Sequence, residues 1–203
     1  MNIFCVGRNY VDHAKELNNP VPDKPVIFSK PTTALLVNGK PFYYPNFSKN
    51  IQFEAELVIR ISNKGKKIGE KYALKYFDQV TLGIDLTARD IQNELKQKGL
   101  PWEIAKGFDG SAVLGTWTDI AGLKNPDAIS FKLLQNGKVV QYGVSTDMLF
   151  SFNALITYIS QFFTLQTGDI IFTGTPAGVG PINIGDRYTG YVEEKQLLNF
   201  TIK

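Results

Sequence analysis

The chain holds one cysteine and one histidine in 203 residues, and each scarcity closes off a class of explanation. A lone Cys5 cannot form an internal disulfide, which points to a reducing, cytoplasmic setting. One His and one Cys cannot supply the nitrogen and sulfur ligands that zinc favours. No apolar run is long enough to cross a membrane as a helix. The opening "MNIFCVGRNYVDHAK" lacks the basic region and long apolar stretch of a signal peptide. An excess of one sign of charge is also missing. Lys plus Arg number 22 against 19 Asp plus Glu, too even a balance for a nucleic-acid binder, and the short cluster Lys64, Lys66 and Lys67 reads as a solvated turn. There is no repeat and no low-complexity tract. What remains is ordinary globular composition, 43% apolar and 20% charged, in a length that suits one domain over residues 1–203.

Strand patterns dominate. "NIFCVG", "VIFSK", "IQFEAELVIRI" and "DQVTLGID" read as strands, the second stopped by Pro31. Asn-Gly pairs at Asn38–Gly39 and Asn136–Gly137 predict two hairpins. "LQTGDIIFTGTPAGVG" is a strand entering a glycine-rich loop, and two more strands close the chain. Helices are few. "YVDHAKEL" gives one or two turns, "GEKYALKYF" is helical, and "MLFSFNALITYISQFF" is amphipathic. "TARDIQNELKQKG" predicts a helix with Thr87 as N-cap, Asp90 near the capping-box position and Gly99 as its stop. Many strands and few helices predict an α+β or mainly β fold, antiparallel or mixed, with the helices packed outside.

Three features carry chemistry. Side chains alternate along a strand, so in "QFEAELVIR" Phe53, Ala55, Leu57 and Ile59 share one face and Glu54 and Glu56 the other. On those two residues alone, the wet face of a one-sided sheet is the simpler account. Asp85, ending the next strand, could complete a site of three oxygen ligands for a hard cation such as Mg²⁺, Mn²⁺ or Ca²⁺. His13 has Glu16 at i+3, a pairing able to make a general base but also found incidentally. The loop "TGTPAGVG", residues 173–180, can aim N–H groups at an anion, with Thr175 adding a hydroxyl. It lacks the lysine of a nucleotide-binding loop, so a carboxylate suits it better than a triphosphate, and a tight structural turn suits it equally well.

Taken in order, "CVGRNYVDHAKEL", "FSKP", "FEAELVI", "GIDLTARDIQ", "GLPWEIAKGFDG", "NGKVVQYG" and "TLQTGDIIFTGTPAGVG" resemble the fumarylacetoacetate hydrolase family nearly end to end. The chain is most similar to its short acylpyruvase and oxaloacetate decarboxylase branch. The resemblance implies a mixed β-sandwich roll of the fumarylacetoacetase C-terminal type with peripheral helices, without the SH3-like domain of longer members, and a homodimer. It implies Mg²⁺ or Mn²⁺ held by Glu54, Glu56 and Asp85, and a His13–Glu16 dyad on a lid segment. Lys106 and Gln92 stand where the family places further catalytic groups. Lys30, Thr175 and Arg8 match substrate-binding positions, Thr175 as holder of the substrate carboxylate. Arg89 is expected to be a structural salt bridge, an alternative that also applies to Lys30 and Lys106. The implied reaction is hydrolysis of the C–C bond of acylpyruvates to pyruvate and a carboxylic acid, with oxaloacetate decarboxylation as a side or main activity. A keto–enol isomerase of 2-hydroxymuconate-type acids or oxaloacetate is the alternative. The partner is a small 2-oxo acid, with no nucleic acid and no membrane. "GTW" at residues 115–117 and "FSKP" depart from the commoner G-P-W and F-L-K-P, and neither change touches a metal ligand.

Overall fold

A computed structural model of the protein describes residues 1–16, 20–37 and 39–203. In chain order its elements begin with β1 (Ile3–Gly7), α1 (Val11–Glu16), β2 (Val26–Lys30), β3 (Leu35–Val37), β4 (Ile51–Phe53) and β5 (Ala55–Ile61). There follow β6 (Phe77–Asp85), β7 (Thr87–Ala88), α2 (Arg89–Lys98), α3 (Glu103–Lys106), β8 (Ala112–Leu114) and β9 (Thr118–Asp119). The chain ends with β10 (Ser130–Gln135), β11 (Lys138–Val144), α4 (Phe152–Phe162), β12 (Ile170–Phe172), β13 (Gly180–Pro181), β14 (Arg187–Val192) and β15 (Lys195–Thr201). The fold is mainly β and mixed, with peripheral helices.

Period-two alternation builds the core. Among the described residues the largest sheet has eight strands, in the order β2-β1-β12-β5-β6-β8-β3, with β9 on β6. One of its faces presents Phe4, Val6, Leu57, Ile59, Leu82, Ile84 and Ile171 to Phe131, Leu133, Tyr188, Leu198 and Phe200 of a second sheet, β11-β10-β14-β15. The other face carries Ile3, Cys5, Val58, Ile170 and Phe172. Both faces of β5 are therefore covered, and only Arg60 of that strand is exposed.

A third, small sheet, β13-β4-β7, matters most for function. It pairs Gln52 with Thr87 and Gly180 with Phe53, drawing together the glutamate strand, the end of the glycine-rich loop and the start of α2. The expected continuous strand over 51–61 is broken at Glu54. There the Ala55 N–H donates to the Gln141 side chain at 2.9 Å, leaving the ladder, and the chain crosses from the small sheet to the large one.

Other expectations need correction. The segments around Asn38–Gly39 do not pair with each other: β3 runs parallel to β8, and Phe42 bridges to Ile202. Asn38 itself lies outside the described residues. Residues Glu70–Lys75 form a 3₁₀ helix. Thr87 does not cap α2, because it is held in β7, and Asp90 instead accepts from the Ser48 hydroxyl at 2.6 Å and the Lys49 N–H at 2.9 Å. The Gly99 stop is present at φ 65°, with the Leu100 N–H reaching Leu95 O at 2.9 Å. The Asn136–Gly137 hairpin forms with both residues at positive φ, joining β10 to β11. Ser151 caps α4 by accepting from the Ala154 N–H.

Candidate active site

Glu54, Glu56 and Asp85 come from the β4–β5 junction, from β5 and from the end of β6, strands held in register by the Glu56–Gly83 pairing. They are 5%, 2% and 1% exposed, so the wet-face account of the two glutamates is overturned. One oxygen from each lies within 4.8 Å of the others. A buried trio of carboxylates is tenable only with compensating charge. Two of the three have it. Lys106 Nζ reaches Glu54 Oε2 at 2.7 Å, Asp85 Oδ2 at 2.8 Å and the Thr87 hydroxyl at 2.7 Å. Arg89 forms an ion pair with Glu54 Oε1 while donating to Gln92 at 2.6 Å and Gln52 at 2.8 Å. Lys30 Nζ stands 2.8 Å from Asp85 Oδ1, an ionic contact whose angle leaves that oxygen without a hydrogen bond.

Glu56 forms no ion pair among the described residues, and there its one hydrogen-bond donor is the Gly174 N–H, at 2.7 Å. Burial, followed by the Asp85 and Glu54 charges, pushes its carboxyl well above the usual range. Burial also acts to raise Glu54, but Lys106, Arg89 and His13 outweigh it and hold that carboxyl well below the usual range. Burial would lower Lys106, yet Asp85 and Glu54 raise it and keep it charged. Three convergent oxygens, one of them an uncompensated buried acid, fit a hard divalent cation, which prefers oxygen ligands.

The glycine-rich loop does something the sequence did not suggest: two of its N–H groups serve the protein's own acids. Gly174 donates to Glu56, and Gly178 donates to Glu16 Oε1 at 3.0 Å. Gly174 takes φ 99°, and a Cβ there would sit 2.6 Å from the Asn9 Cβ. Gly174→Ala is therefore expected to destabilise the protein by about 1–3 kcal/mol, read as a lower urea midpoint. Thr175, the next residue, accepts from Gln141 Nε2 at 2.8 Å.

His13 and Glu16 lie on α1, over the cavity. The His13 ring is buried, with Nδ1 3.3 Å from Glu16 Oε2. Burial lowers its pKa from the ordinary imidazole value, with Glu54 and Glu16 pulling partly back. The cavity itself is small, about 30 Å³. Of the sequence-predicted residues, Arg8, His13, Glu54, Glu56, Asp85, Gln92, Lys106 and Thr175 line it. Glu16 stands behind His13. Lys30 does not line it either: its ammonium is buried against Asp85 and Ser111, which makes it a support for the carboxylates. Arg89 is the expected salt bridge, though its partner is one of the three site acids. Sequence reading missed Lys96 and Trp102 on the cavity wall and Gln141 behind Thr175. The Lys96 signal was present, as a lysine one helical turn after Gln92 with no acid three or four residues away. A larger groove of about 1490 Å³ runs along the edge strand β2 and lacks the carboxylates.

Known proteins resemble the chain over nearly its whole length. The chain is 40% identical over 202 residues to mouse (Mus musculus) "Oxaloacetate tautomerase FAHD1, mitochondrial", covering 100% of this chain and 91% of that one. It is 43% identical over 184 residues to the Caenorhabditis elegans "Oxaloacetate tautomerase fahd-1, mitochondrial", covering 91% and 86%. The crystal structure of fumarylpyruvate hydrolase from Pseudomonas aeruginosa in complex with Mn²⁺ and pyruvate superposes with a TM-score of 0.93 at 33% identity, covering 100% and 89%. The family model for the fumarylacetoacetate (FAA) hydrolase C-terminal domain matches residues 2–202, and the chain belongs to that family.

Proposed function

We propose that the protein is a divalent-metal-dependent enzyme that hydrolyses the C3–C4 bond of acylpyruvates, giving pyruvate and a carboxylic acid. The observation that carries this reading is the buried Glu54–Glu56–Asp85 trio with the His13–Glu16 pair on the same cavity. A Mg²⁺ or Mn²⁺ ion held by the three carboxylates would supply Lewis acidity toward the 2-oxo acid end of the substrate. The rest falls to the protein. Glu16 accepts at His13 Nδ1, leaving Nε2 as the basic nitrogen. Because burial lowers His13, the ring is neutral at pH 7 and can take a proton from water as that water attacks the distal carbonyl. Glu16 then stabilises the imidazolium, which returns its proton to the departing pyruvate carbon. Lys106 and Gln92 donate to the oxyanion and enolate charge, while Thr175 and Arg8 hold the carboxylate. The cavity is small for a four-carbon acid, and α1, held to Gly178 through Glu16, would lift as a lid for entry.

A second reading, keto–enol tautomerisation of oxaloacetate, uses the same parts without an attacking water, His13 moving a proton to or from C3. The names of the mouse and nematode relatives favour it. One experiment separates the two. The protein is incubated with Mg²⁺ or Mn²⁺ and acetylpyruvate, fumarylpyruvate or oxaloacetate. Loss of the diketone ultraviolet band together with pyruvate formation supports hydrolysis, and an oxaloacetate enol band that changes without pyruvate supports tautomerisation. Inert substrates with either metal would reject both. The reading includes a homodimer, which equilibrium sedimentation tests, and a reducing cytoplasmic setting for Cys5.

A further inference from the structure

Resting on that reading of the site, we infer that Lys96 binds a second carboxylate at the far end of the substrate, so that the enzyme selects dicarboxylic 2-oxo acids over monocarboxylic ones. The cavity that holds the three acids also has Lys96 on its wall. Of the other cations near the acids, Lys106 and Arg89 are committed to Glu54 and Lys30 to Asp85, while Arg8, also on the cavity wall, is the one assigned above to the 2-oxo acid carboxylate. Lys96 forms no ion pair among the described residues. The acids of its own helix are engaged elsewhere, Glu94 with Lys98 and Asp90 with Ser48 and Lys49.

Its position is also built rather than free. The ammonium lies 5.4 Å from the centre of the Trp102 ring, and the side chain is half-buried, whereas Lys98 two residues on is 59% exposed. Trp102 packs edge-on to Phe28 at 5.9 Å, and Lys106 sits 5.2 Å from the centre of the Phe28 ring. Two ammonium groups thus stand on one pair of packed aromatic rings, Lys96 on Trp102 and Lys106 on Phe28. A substrate lying along this pair puts its 2-oxo acid at Lys106 and its other end at Lys96. Burial, then Arg89 and Arg8, lower Lys96 to about 8 while Glu54 pulls back. An arriving carboxylate relieves that crowding of like charge.

The test uses the Mn²⁺-loaded full chain, as wild type, Lys96→Met and Lys96→Arg. For turnover, KM is measured on fumarylpyruvate and on acetylpyruvate. For binding without turnover, calorimetry compares 2-oxoglutarate with 2-oxopentanoate, which differ at the distal end. Lys96→Met is expected to raise the dicarboxylate-to-monocarboxylate ratio of KM, and of dissociation constant, by roughly 10–100-fold, the range of a charge-assisted hydrogen bond, and Lys96→Arg to restore most of it. Ratios that do not move, or that arginine does not restore, overturn the assignment. If wild type turns over neither substrate yet Lys96→Met selectively weakens 2-oxoglutarate, the proposed reaction falls and the Lys96 assignment stands.

Discussion

Mn²⁺ at about 100 times its dissociation constant is expected to raise the melting temperature by about 5–10 °C, and Glu56→Gln to abolish that rise. The same substitution should raise the melting temperature of the metal-free protein. Both effects follow from one fact: Glu56 is buried beside Asp85 and Glu54, with the Gly174 N–H against it and no ion pair among the described residues. Its folded-state pKa is raised, so the folded chain keeps a proton that the unfolded chain releases. That contribution to stability is fully present below the ordinary carboxylate range and is lost as pH rises through the shifted value. Glutamine has no such loss. Glu54 works in the opposite sense, since its lowered pKa adds stability above the ordinary range that disappears only as strong acid protonates it. A cation requires Glu56 ionised, so the Mn²⁺-induced rise should grow with pH through the window in which the metal-free protein weakens. Scanning calorimetry at several pH values measures both slopes. A rise that survives in Glu56→Gln would place the cation elsewhere.

What could be read from the sequence divides along a physical line. Local pattern sufficed where a few neighbouring residues decide the outcome. Alternation in Phe53, Ala55, Leu57 and Ile59 named the core face, Asn136–Gly137 fixed a hairpin, and Gly99 stopped a helix. It failed where a distant group competes for a backbone atom. Gln141, 86 residues away, takes the Ala55 N–H and breaks the strand at Glu54. The spacing of Thr87 suits a cap, but pairing with Gln52 holds it in a strand where its hydroxyl serves Lys106. Asn38–Gly39 had hairpin chemistry, yet β3 found β8 as a parallel partner. For the site, residue types and order pointed to eight of the cavity-lining groups. They could not separate Lys30, buried against Asp85, from a substrate contact, because a lysine has the same sequence signature in either role. Nor could they reveal that Gly174 and Gly178 serve internal carboxylates, since that depends on which acids the fold brings beneath the loop.

His13→Ala is expected to lower kcat/KM for acylpyruvate cleavage by about 10²–10⁴-fold, the usual contribution of a general base, while the Mn²⁺-induced rise in melting temperature persists. The separation holds because the three carboxylates of the metal site are on other elements, and His13 reaches the cavity from α1. Its pH dependence distinguishes a base from a packing residue. The ring's pKa is already lowered by burial, so kcat/KM in the wild type should fall only below the ordinary imidazole range, where His13 gains a proton. Glu16 is one of the groups that raise it, through the Nδ1 contact. Glu16→Gln should therefore move the acid limb to still lower pH and reduce the plateau, since the imidazolium formed during catalysis loses its counter-charge. Glutamine can still accept from the Gly178 N–H, so α1 keeps its anchor and the limb reports charge rather than position. An acid limb at the same pH in both proteins would remove His13 as the titrating base and leave the proton transfer to another group on the cavity.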